Sequence, residues 1–111
     1  MKLVLIDGRR VVDEPTFHSE FAKALGFPAT YGRNLDAWVD CVSTMRDGSG
    51  RMTSLHLSAN ETLVLQVDHV GAFVTHAPKL FAALHDLAAF VNLRVSAEGK
   101  APIIALAYER E

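Results

Sequence analysis

Asp36 and Asp40, four residues apart, and the single cysteine, Cys41, are the residues whose types and spacing invite chemistry. On a helical wheel of about 100° per residue with Asp36 at zero, Asp40 falls near roughly 40°, whereas Trp38, Val39 and Val42 fall between about 200° and 300°. One flank is apolar and the other displays two carboxylates. Like charges at this spacing cost a helix about 0.2–0.5 kcal/mol. Asp36 recovers some of that from the helix dipole in the first turn, but Asp40, a turn further on, gains much less. Two readings follow. Either Asp36 completes a helix amino terminus and Asp40 belongs to a solvated face, or the pair is presented to a cationic site. Gly32, just upstream, can supply backbone conformations closed to other residues, and a fixed loop before a helix start is a rigid mount for a binding surface.

Other chemistries have less behind them. A nucleophilic Cys41 would rest only on its acidic neighbour, with no base marked in the sequence, and a free cysteine otherwise reads as a small buried hydrophobe. His18, His56, His69, His76 and His85 include no His-x-x-x-His pair, so no metal site is predicted. No phosphate-cradling glycine loop or basic aromatic patch occurs, so no cofactor or nucleic-acid partner is implied. Thirteen acids against eleven Lys and Arg leave a net charge of −2, which argues against bulk attraction to nucleic acid.

The elements that must carry these residues can be read from caps and periodicity. Leu3–Ile6 and Ile103–Ala107 are continuous apolar runs, as expected of parallel strands buried on both faces. Asp13 or Glu14 caps a helix over Glu14–Leu25 that Gly26 ends, with Pro15 in its first turn. Asn34 caps a second helix ending near Arg46, ahead of a turn at Asp47–Gly50. Thr62–Val67 reads as a strand, and alternation over Met52–Leu57 allows an extra hairpin strand beside it. Gly71–His76 forms a helical turn, and Pro78 opens a longer helix with Leu80, Leu84, Leu87, Ala88 and Val91 on one side. The alternation of strands and helices makes this an α/β chain. At 111 residues, half of them hydrophobic, a single domain over 1–111 is expected. One cysteine, no secretory leader and no apolar run near 18 residues point to a cytoplasmic protein without a membrane span.

The stretch Tyr31-Gly32-Arg33-Asn34-Leu35-Asp36-Ala37-Trp38-Val39-Asp40-Cys41 resembles the signature of the barstar family, small intracellular inhibitors of barnase-like microbial ribonucleases. The resemblance implies a barstar-like fold, a small parallel three-stranded sheet flanked by about four helices. It implies a non-enzymatic, immunity-type ribonuclease inhibitor. Its partner would be a basic extracellular-type or toxin ribonuclease, whose active site the helix enters. By resemblance, Asp40 is the anchor that mimics an RNA phosphate, Asp36 a flanking acid, and Gly32 and Asn34 shape the loop; Tyr31 completes the partner-binding set. The family also contributes an acid from its last helix, for which no position here is assigned. Thr30 and Val39 stand where the family's best-known member carries aromatic residues. Trp38 sits one position early, about 100° round the helix, where core packing is expected. Arg33 stands where an acid is common and should weaken attraction to a basic enzyme. These departures fit a ribonuclease other than barnase, or another partner. The alternative keeps the fold as an interaction module with a non-ribonuclease partner or a homodimer surface; oligomeric state is not legible.

Overall fold

The structure is a computed structural model describing residues 1–46 and 53–109. In chain order it comprises β1 (Lys2–Asp7), a 3-10 turn (Gly8–Arg10), α1 (Glu14–Leu25), α2 (Leu35–Ser43), β2 (Leu63–Asp68), α3 (Val70–His76), α4 (Pro78–Ser96) and β3 (Ile104–Tyr108). Helix boundaries follow their caps. Asp13 Oδ1 accepts from Thr16 N at 3.0 Å while Thr16 Oγ1 accepts from Asp13 N at 3.0 Å, a reciprocal capping box. Gly26, at φ 70°, ends α1 in the left-handed conformation that a glycine adopts without strain.

Helix α2 stops at Ser43, three residues short of the expected end. Met45 N donates to Val42 O at 3.3 Å in a tighter turn. Arg46 beyond it binds carbonyls elsewhere: Nε and Nη2 donate to Glu61 O at 3.0 and 2.8 Å, Nη1 to Ala101 O at 2.7 Å, and Nη2 to Pro102 O at 2.8 Å. One guanidinium thereby ties the end of α2 to the segments leading into β2 and β3. The turn expected at Asp47–Gly50 lies outside the described residues.

The strands are parallel in the order β1-β2-β3, with Lys2 opposite Leu63 and Leu63 opposite Ile104. This register puts Val4, Ile6, Leu63, Leu65, Val67 and Ile104 on one face, against the core. Leu3 and Leu5, on the other face, are 58% and 54% exposed. The parallel strands are as expected; burial of β1 and β3 on both faces is not. Two crossovers of one hand, each stepping to the next strand in the same direction, place their helices on the same side of a sheet. Among the described residues the far side carries no helical layer.

Residues 53–57 form no strand, so the extra hairpin strand is absent there, and Met52 lies outside the described residues. β2 already has β1 and β3 on its two edges, leaving none for an antiparallel partner. The segment instead seals the core: Ser54 N donates to Gly26 O at 2.8 Å, Leu57 N donates to Met45 O at 2.9 Å, and Thr53 and Leu57 are buried.

Within the core Trp38 is fully buried, edge-on to Phe21 at 5.7 Å, in keeping with its position on the wheel. α2 packs against α4, and Asn92 holds α4 to β3 by accepting from Ile103 N at 2.9 Å and Ile104 N at 3.1 Å and donating to Ile104 O at 2.9 Å.

Candidate functional site

The loop before α2 is anchored from beneath. Tyr31 is 9% exposed, its hydroxyl 2.6 Å from Nδ1 of the buried His18, whose Nε2 lies 3.3 Å from Glu14 Oε2. Burial pushes the Tyr31 phenol well above its ordinary range, so it stays a neutral hydrogen-bonding group. Tyr31 thus holds the loop onto α1, with little of its own surface exposed. Gly32 is not in the left-handed region; among the described glycines Gly26 and Gly99 are. Its requirement is space, since a Cβ there would lie 3.2 Å from Asn34 Nδ2 and 3.5 Å from Ala37 Cβ. Arg33 takes the left-handed conformation, at φ 54°. Its Nη2 turns back to donate to Pro15 O at 2.9 Å and Ser19 Oγ at 3.0 Å. The cation expected beside the acids is therefore occupied on α1.

Asn34 Oδ1 accepts from Ala37 N at 2.7 Å, which starts α2 and aims its first turn. Asn34→Ala should lower unfolding free energy by about 1 kcal/mol, read from denaturant midpoints at unchanged slope. A loss below about 0.3 kcal/mol would mean that the cap carries little of the loop's order.

Asp36 and Asp40 both reach solvent, on the same flank of α2. They border a groove of about 590 Å³ between α2 and α4, to which α4 contributes Asp86, Leu87, Phe90 and Arg94. Asp86 is thus a third carboxylate, brought to the pair by the packing of α4. Phe90 is 51% exposed, a large ring placed where a partner could cover it. Arg94 Nη1 donates to Asp40 Oδ1 at 3.3 Å, and its guanidinium carbon lies 5.3 Å from the Phe90 ring centre. With the two side chains 42% and 57% exposed, such a pair contributes about 0–1 kcal/mol. The sequence reading missed Asp86, Phe90 and Arg94. Their spacing of four along the wet flank of α4 was the available signal, but only packing shows that this flank faces Asp40. Chemically, the groove offers three carboxylates and an aromatic ring to a cationic surface, tempered by one guanidinium.

A second cleft, about 450 Å³, lies at the carboxyl ends of β1 and β2. There Arg9 Nε and Nη2 grip both oxygens of Asp7 at 3.0 and 2.9 Å, and these bonds hold its carboxyl down at about 2. Cys41 is 1% exposed; burial, and then the charge of Asp40, push its thiol up, the opposite of what a nucleophile needs. Among the described residues no group of three or more His, Cys, Asp or Glu is disposed to hold a metal ion. Among them, too, no helix is long and apolar enough to cross a membrane.

The sequence matches the family model described as Barstar (barnase inhibitor) over residues 1–107. The chain belongs to the barstar family. Within the barstar match, the parallel three-stranded sheet with four helices is the expected architecture. The chain is also similar to a Bacillus subtilis (strain 168) protein named "Putative ribonuclease inhibitor YrdF", 42% identical over 43 residues. That match takes in 39% of this chain and 47% of the relative, so the chain is matched to about half of that protein's length.

Proposed function

We propose that this protein inhibits a basic, barnase-like ribonuclease by seating α2 in the enzyme's active site, with Asp40 as the anchor. The observation that carries the reading is the convergence of Asp36, Asp40 and Asp86 on one groove beside an exposed aromatic ring. Carboxylates there stand in for RNA phosphates, pairing with guanidinium and ammonium groups in an interface that excludes water and strengthens charge-assisted hydrogen bonds. Asp36 flanks the anchor, Asn34 and Gly32 set the start of the helix, and Tyr31 holds the loop through His18. Membership of the barstar family supports the reading. With a net charge of −2, long-range steering is modest, and tight binding has to come from close contacts at this groove.

The test is an RNA-cleavage assay with a barnase-type ribonuclease and increasing amounts of the protein. Inhibition that saturates near one equivalent is expected. A parallel capture from the native host lysate uses wild type and Asp36→Ala/Asp40→Ala as baits. A ribonuclease lost from the double variant supports the reading; a partner held equally by both baits places the functional surface elsewhere.

A further inference from the structure

We propose that Arg94 is a specificity filter: it shields Asp40 in the free protein and must be displaced by the cation of an arriving partner. The inference rests on the reading of the groove as the ribonuclease-facing surface. Among the lining residues, three carboxylates face one guanidinium, and that guanidinium lies against the proposed anchor. In effect Arg94 occupies the place that a partner's arginine would take.

The geometry is that of a weak, reversible occupant. The contact between Arg94 Nη1 and Asp40 Oδ1, at 3.3 Å, is long for a charge-assisted hydrogen bond, and both groups remain in contact with solvent. An incoming arginine that binds the carboxylate through both of its parallel N–H groups makes the stronger geometry and prevails. Arg94 then has other neighbours to turn to. Its guanidinium already lies over Phe90, and its side chain also borders the adjoining hollow that contains Glu98, whose Oε1 lies 3.0 Å from Lys100 Nζ. Isolated surface lysines on a partner, which bind as point charges with no planar fork, displace it less readily. Displacing Arg94 costs every cation alike, so the filter acts as a threshold: partners that present a well-positioned guanidinium clear it, whereas weakly held, generally basic surfaces do not.

The test uses two probes, a hexa-arginine peptide and a barnase-type ribonuclease, titrated calorimetrically against wild type and Arg94→Met, with Asp40→Asn and Asp40→Asn/Arg94→Met as the second pair. Arg94→Met should bind both probes about 3- to 10-fold more tightly than wild type, and most of that gain should vanish in the Asp40→Asn background. Peptide affinity that is undetectable, unchanged or weaker in Arg94→Met overturns the filter. A gain of equal size in the Asp40→Asn background also overturns it, because it would reflect net charge alone. If the ribonuclease binds neither wild type nor variant while the peptide behaves as expected, the ribonuclease reading fails and the filter stands. If the ribonuclease binds wild type tightly and Arg94→Met loosely, Arg94 contacts an acid on the partner and the filter is wrong.

Discussion

Replacing Asp40 with alanine is expected to weaken capture of a barnase-type ribonuclease by about 2–5 kcal/mol, roughly 30-fold to several thousand-fold in Kd. Most of that loss would arise on the partner. Cations that give up water to meet a carboxylate are left buried without a counter-charge when the carboxylate is removed. Within the free protein the same substitution removes only the exposed contact to Arg94, so unfolding free energy should change by less than about 1 kcal/mol. This contrast between large binding loss and small stability loss distinguishes an anchor from a structural acid. Asp36→Ala and Asp86→Ala, on the flanks, should each cost less than Asp40→Ala. Calorimetric titration of the three variants, with denaturant unfolding alongside, provides both readouts. A binding loss below about 1 kcal/mol for Asp40→Ala would rule out its anchor role.

Gly8→Ala should destabilise the protein strongly for the addition of a single methyl group, by about 1–3 kcal/mol. A Cβ at Gly8 would lie 2.6 Å from both Asp68 O and His69 O, and neither atom belongs to a side chain that could rotate away. His69 is itself held at φ 52° where β2 hands over to α3, so any shift disturbs the turn that starts that helix. Gly71→Ala, two residues further on, should have the opposite sign. A Cβ there meets nothing within 4 Å, and alanine in place of a helical glycine stabilises by about 0.5–1 kcal/mol. Unfolding midpoints of the two variants measured together test the assignment. Two losses of similar size would show that the space around these glycines does not govern their tolerance.

The parts of this molecule that could be read from sequence are those governed by neighbours within one or two helical turns. Asp13 or Glu14 and Asn34 as amino-terminal caps and Gly26 as a terminator are local readings, and the structure has Asp13 capping α1, Asn34 capping α2 and Gly26 ending α1. The helical wheel put Asp36 and Asp40 on the wet flank and Trp38 in the core for the same reason: side-chain direction follows from helical repeat alone. The barstar resemblance over eleven residues correctly identified the family.

The parallel sheet itself was anticipated from the apolar runs and the family resemblance, but finer properties that depend on pairing between distant segments were not legible. A continuous apolar run looks alike in a sheet covered on both faces and in one covered on a single face, so the exposure of Leu3 and Leu5 emerged only with the strand order. Met52–Leu57 alternates like a strand, but β2 has no free edge to receive one. Arg33 looked like the cation beside the acids, yet its side chain lies against α1, fourteen residues back at Ser19. Arg94, fifty-four residues beyond Asp40, takes that place. Capping and periodicity are settled within a segment, where the chain itself sets the distances. Which charges meet across the α2–α4 groove is settled by how buried side chains pack one helix against another, and that information is spread over the whole core.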